Sequence, residues 1–158
     1  MGHNRLVDIS AKTDYALRAL LAVAESSDGR PVSVEHLAGE QELPRKFLEA
    51  ILADLRRGGI VSSHRGPRGG YSLARPARDI TVGDVFRAVD GPLAEVRGLR
   101  PQDTTYAGVA EHLPTVWVAV RASLRRVLDE TSLEQLRTGR MPRHVARLAA
   151  APDAWENR

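Results

Sequence analysis

The chain has 158 residues, 42% of them hydrophobic, and a formal net charge of +3, which suits one domain with a real core plus an extension. It contains no cysteine, so disulfides, thiolate metal sites and cysteine nucleophiles are excluded. No apolar run approaches the ~20 residues needed to span a bilayer, and the opening residues MGHNR lack the apolar core of a signal peptide, so the expectation is a cytoplasmic protein with no membrane partner.

Residues 1–8 read as a flexible tail. Ser10 is placed to cap a helix from Ala11 to about Ser26. Its apolar positions are Leu17, Leu20, Leu21 and Ala24, with Tyr15, Ala16 and Val23 nearby. Lys12 and Tyr15 sit near its start, within reach of a phosphate, although surface and core-edge roles are the more ordinary ones for such residues. Asp28-Gly29-Arg30-Pro31 is a turn.

The stretch from Ser33 to Pro76 organises the chain. Ser33 caps a helix whose apolar side is Val34, Leu37 and Ala38, and Gln41 and Glu42 end it. Pro44 suits the first position of a second helix, where its missing N–H costs nothing. Leu48, Ile51, Leu52 and Leu55 then recur at three- and four-residue spacing, with Phe47 at the edge of the stripe. Gly58 and Gly59 stop this helix. Its opposite face carries Lys46, Ala50, Ala53 and Arg57, with Glu49 on the flank. Small alanines would let a helix sit deep in a groove, with Lys46 and Glu49 placed to reach phosphates or base edges; taken alone, the same face also fits an ordinary solvated helix surface. Ile60 to Arg65 and Tyr71 to Leu73 read as short strands around the tip Arg65-Gly66-Pro67-Arg68-Gly69-Gly70. Arg65 and Arg68 on that tip suit phosphate contact or entry into a minor groove.

Charge agrees with a nucleic-acid partner. Residues 43–78 contain eight Lys/Arg, Arg45 among them, against Glu49 and Asp54, so this block is 8 − 2 = +6 and the remainder of the chain −3.

Beyond the wing, Thr81-Val82-Gly83-Asp84 starts a short helix to about Val89, with Val82, Val85, Phe86 and Val89 turned inward. Residues 93–112, punctuated by Gly98, Pro101 and Gly108, read as a loop or sensor-like segment. Pro114 opens a long helix to about Glu130, on which Leu113, Trp117, Val120, Leu124 and Val127 form a heptad seam. Such a seam either packs on its own domain or meets a second subunit; because the preceding domain already has a core, the second subunit is the favoured reading. Ser132 and Gln135 cap a short helix, so that 113–137 holds the dimerisation helix and its neighbour. The stretch 138–158 is expected to be a mobile tail, within which Arg143-His144-Val145-Ala146-Arg147 suits a helical turn.

No other chemistry stands out. His3, His36, His64, His112 and His144 make no ligand spacing, so no metal and no cofactor are expected. There is no nucleophile elbow, and RGPRGG lacks the strand–loop–helix context and the lysine of a phosphate loop, so the chain is not read as an enzyme.

The runs TDYALRALLAVA (13–24), SVEHLA (33–38), LEAILADLRRGGIVSSHRGPRGGYSLARP (48–76) and ITVGDVFRAVDGPL (80–93) resemble the Rrf-two type (IscR-, NsrR- and CymR-like) of bacterial transcription regulators. The resemblance covers residues 9–93 and the later long helix, and RGPRGGY followed by ITVGDV is its most specific part. It implies a mainly α protein with a small β-wing: a winged helix-turn-helix over 9–92 plus a long dimerisation helix, acting as a cytoplasmic homodimer on DNA. It places Lys46, Glu49 and Ala50 on recognition-helix sites, Arg65 on the wing arginine, and Lys12 and Tyr15 on phosphate contacts of the first helix. Two departures stand out. Many members carry three cysteines after the GPL motif, holding an iron–sulfur cluster, and here Ala94 to His112 has none. Asp14 matches a carboxylate ligand of one branch, but without thiolates it holds no such cluster. The helix–helix turn, often glycine, has Glu42.

The leading expectation is a dimeric, sequence-specific regulator, a repressor, on a near-palindromic duplex operator. An RNA- or ribosome-associated winged helix and a protein-interaction winged helix are the alternatives. Its signal is open between a small molecule bound near residues 94–118, a protein effector, and none.

Overall fold

Ser10 in an extended conformation accepts the Thr13 N–H at 3.1 Å and starts α1 (Ala11–Glu25). The computed structural model describes residues 8–26 and 29–157; the expected N-terminal tail, apart from Asp8, and Asp28 of the expected turn lie outside the described residues. The expected apolar positions Leu17, Leu21 and Ala24 are only half-buried; α1 buries Thr13, Ala16, Ala19, Leu20 and Val23. Alanines at 16 and 19 permit close approach of a neighbouring helix, and a reading weighted by side-chain bulk passes over them.

Ser33 caps α2 (Val34–Glu40), accepting the His36 N–H at 3.2 Å. The helix ends with Leu43 N–H bonded to the Ala38 carbonyl at 2.9 Å and Glu42 N–H to the Gly39 carbonyl at 3.4 Å. That is a Schellman ending, with buried Leu43 as its apolar clasp. Glu42 occupies the left-handed position, at φ 53, where glycine has no Cβ penalty. Glu42→Gly is therefore expected to stabilise the fold by about 1 kcal/mol, seen as a raised midpoint in thermal or urea unfolding; an unchanged or lowered midpoint would show that the turn carries no strain.

Pro44 is the N-cap of α3 (Arg45–Arg57), one position earlier in the helix than its sequence suggests. The helix buries Leu48, Ile51, Leu52 and Leu55, as their spacing requires. It ends with the same motif as α2, Ile60 N–H bonding the Leu55 carbonyl at 2.9 Å, but here Gly59 takes the left-handed residue at φ 71. The wing follows as β1 (Val61–His64) and β2 (Gly70–Leu73), antiparallel in the register Val61↔Leu73 to His64↔Gly70. Val32, just before α2, exchanges two 2.8 Å bonds with Tyr71 and ties the wing to the helices. Asp90 accepts hydrogen bonds from Ser10 and from buried Thr13.

The chain divides into two compact units: residues up to Arg75 with Ala88–Asp90, and Pro76–Arg87 with the residues from Gly91 onward. The expected domain of residues 9–92 is thus cut differently. Residues 76–87 belong with the second unit because Val82 N–H bonds the Thr131 carbonyl and Leu133 N–H bonds the Ile80 carbonyl, each at 2.9 Å.

In this second unit Thr81 and Asp84 form a reciprocal cap, at 3.0 and 3.1 Å, on α4 (Val82–Val89). Ser132 and Gln135 do the same for α6 (Leu133–Thr138), at 2.9 and 3.1 Å. The segment 93–112, expected as an open loop, contains a tight reversal in which Val96 and Leu99 exchange two 2.9 Å bonds around Arg97 (φ 52) and Gly98 (φ 75). A 3-10 turn, Pro101–Asp103, then packs on α5 (Leu113–Leu128), with Pro101 and Thr104 buried. Single turns like these are too short to leave a periodic signature. The expected mobile tail holds α7 (Arg143–Ala149), where His144 Nε2 lies 2.6 Å from the Arg126 carbonyl and 3.1 Å from Glu130. Among the described residues no helix is long and apolar enough to cross a membrane.

Candidate nucleic-acid interface

The amphipathic pattern of α3 turns its apolar stripe into the core and leaves the rest outward. Lys46, Glu49, Ala50 and Arg57 are exposed and Ala53 is half-exposed, as their position opposite the stripe demands. Their charges are not equivalent. Arg45 bonds Glu49 at 3.0 Å and Glu35 of α2 at 2.8 Å. The Glu49 hydrogen bond, then Glu35, raises its pKa above the ordinary arginine value. Arg45 and Glu49 are thus partners within the protein. Lys46 has no recorded partner among the described residues.

Lys12 and Arg57 share a carboxylate. Lys12 Nζ of α1 lies 2.5 Å from one oxygen of Asp54, and the Arg57 guanidinium binds the other. The hydrogen bond from Lys12, with its charge and that of Arg57, holds the Asp54 carboxyl below the ordinary carboxylate value. A depressed carboxylate pKa contributes stability above about pH 4, and that contribution fades as the pH falls through the lowered value.

At the wing, Arg65 and Arg68 are exposed and have no recorded partner among the described residues. Tyr15 meets Phe47 edge to face, centroids 5.8 Å apart at 82°, and Arg18 lies 5.7 Å from its ring centre. Phe47 is the residue that sequence reasoning undervalued. It is 46% exposed beside Lys46 in the first turn of α3, where an apolar edge can meet a thymine methyl. Its place on the margin of the apolar stripe was the available signal.

The seam of α5 is only partly covered by the described residues. None of the helix's sixteen residues is buried. Leu113 and Val120 are exposed, while Trp117, Leu124 and Val127 are half-buried. Trp117 Nε1–H donates to the Tyr106 hydroxyl at 3.1 Å. Val116, outside the heptad pattern, is 51% exposed and widens the apolar surface.

Among the described residues no three His, Asp or Glu side chains come together as metal ligands. Asp14 is exposed and lies 3.9 Å from Arg18. With no thiolate anywhere in the chain, the donor set does not fit a thiolate-held iron–sulfur cluster.

Two helices joined by a tight turn and followed by a two-stranded wing define a winged helix-turn-helix protein. A family model described as "Rrf2: Iron-dependent Transcriptional regulator" matches residues 9–139, and the chain belongs to this Rrf2 (Rrf-two) family of DNA-binding transcription regulators. A Mycobacterium tuberculosis H37Rv protein designated an HTH-type transcriptional regulator is 47% identical over 141 residues, 89% of this chain and 88% of that one. The solved structure of CymR, the global cysteine regulator of B. subtilis, is similar with a TM-score of 0.71 at 30% identity, covering 85% of this chain and 98% of that one. The T. potens IscR structure gives a TM-score of 0.67 at 33% identity, covering 84% and 88%.

Proposed function

We propose that this chain is a dimeric, sequence-specific repressor that binds a near-palindromic duplex operator through α3 and the wing and works without an iron–sulfur cluster. The observation that carries the reading is the pairing of an exposed, alanine-floored helix face bearing Lys46 with a wing tip bearing Arg65 and Arg68. The dimer is supported by the seam of α5, no residue of which is fully buried among the described residues. The cluster is left out because the chain has no thiolate to hold one.

The test begins with selection of genomic fragments by the purified protein, followed by binding to the selected site, a scrambled duplex and an RNA of equal length. Arg65→Ala is expected to cost about 1–3 kcal/mol on the selected site if its guanidinium reads a base edge or groove width. Lys46→Ala should weaken both duplexes alike and lower the salt slope by about one unit. Glu49→Ala should leave the scrambled duplex bound equally or more tightly and lower the ratio of specific to non-specific affinity. If Arg65→Ala and Glu49→Ala both leave that ratio unchanged, the recognition surface lies elsewhere. Preference for RNA over duplex DNA would favour the RNA-associated reading.

A further inference from the structure

A helix that faces phosphates has little use for a carboxylate, yet α3 carries Asp54 one turn before its C-terminal end. This side chain is only 17% exposed, and it holds two cations that the sequence offered to DNA. Lys12 reaches it from α1 and Arg57 from the next turn of α3. The two cations differ in freedom: the Lys12 side chain is 33% exposed and that of Arg57 71%. The Lys12–Asp54 pair is therefore the better sheltered from salt and water. For a phosphate to take Lys12, it must displace a carboxylate already in contact and leave that anion facing the nucleic acid.

We propose that Asp54 is a specificity-determining residue of this interface: it retains Lys12, and in part Arg57, within the protein, so that sequence-independent attraction to phosphate is held down. The inference rests on the reading that α3 faces duplex DNA. Non-specific binding is set by the number of phosphates neutralised, and specificity is the ratio of the two affinities. A residue that subtracts cations from the first raises the ratio without touching a base. Lys12 then acts as a strut between α1 and α3, and Lys46, Arg65 and Arg68 supply the charge that the duplex meets.

Asp54→Asn preserves size and an acceptor oxygen while removing the charge. Binding to the selected operator and to a scrambled duplex is measured at four salt concentrations from 50 to 200 mM. The variant should bind the scrambled duplex with a slope steeper by about one to two units, each unit being a further ~4-fold loss of affinity across that range. Its ratio of specific to non-specific affinity should fall. Lys12→Met provides the second arm. It should leave the slope unchanged while Asp54 is present, and lower it by about one unit in the Asp54→Asn background. A structural role alone would move the melting temperature of either variant and not the salt slope. The proposal is overturned if Lys12→Met lowers the slope by one unit in the wild-type background, since Lys12 is then an ordinary phosphate contact. It is also overturned if a folded Asp54→Asn protein keeps the wild-type slope. Should Asp54→Asn not fold, the single Lys12→Met measurement still decides. Wild-type protein that shows no salt-dependent duplex binding would instead sink the interface reading itself.

Discussion

Charged substitutions at Val120 and Leu124 are expected to turn a dimer into a monomer and to cut operator affinity by roughly 100-fold or more. The second figure follows from linkage: two half-sites bound by one particle gain about 10²–10⁴ in avidity over either alone. The first follows from α5 itself. A sixteen-residue helix with no buried residue has an apolar face that the described residues cover only in part. Leu113 and Val120 are 36% and 37% exposed, and Val116 more so. Covering such side chains is worth about 1.5–3 kcal/mol each when burial is complete, and a charge in the seam forfeits that gain and adds a desolvation cost. Because Val120 is exposed and Leu124 half-buried, the protomer should keep its far-UV circular dichroism while its sedimentation coefficient drops. Two-fold symmetry also calls for half-sites about one helical turn apart, ~34–36 Å. Wild-type protein sedimenting as a monomer at micromolar concentration would assign the seam to a contact other than self-association.

The other large effect concerns a single hydrogen atom. Gly70 opens β2 at φ 149, and a Cβ there would stand 2.3 Å from the Val32 carbonyl oxygen. That carbonyl is the one bonded to Tyr71 N–H at 2.8 Å, so backbone would have to move and the tie between wing and helices would break. Gly70→Ala should destabilise the fold on the order of 3 kcal/mol. It should also weaken operator binding by tenfold or more through displacement of the wing tip. Gly39→Ala is the matched control. Gly39 lies in α2 with nothing within 4 Å of its added Cβ, so alanine should stabilise it by up to about 1 kcal/mol through helix propensity. Equal melting temperatures for the two variants would show that the wing tolerates a methyl group at 70 and that the close approach has no energetic weight.

Which residues of the candidate site face outward was largely legible in the sequence. The spacing of Leu48, Ile51, Leu52 and Leu55 determined which side of α3 is core, and therefore which side holds Lys46, Ala50 and Arg57. Local chemistry set the boundaries: Ser10, Ser33 and Ser132 cap their helices, Thr81 pairs with Asp84, and Gly59 closes α3. These signals are short-range. Each depends on residues within one or two turns, and a linear string preserves them.

What tertiary structure decided is which charges are free. The sequence offers Lys12, Arg45, Lys46 and Arg57 as candidate phosphate contacts without showing which of them is paired within the protein. Folding brings Asp54 to Lys12 across 42 positions of chain and Glu35 to Arg45 across ten, and leaves Lys46 without a recorded partner among the described residues. The same holds for burial on α1, where the small Ala16 and Ala19 take the core position that bulk alone would give to Leu17 and Leu21. It holds again for residues 93–112, whose turns are fixed by what they pack against. Pairing energy and burial depend on distances between residues remote in sequence, and no local pattern encodes those distances.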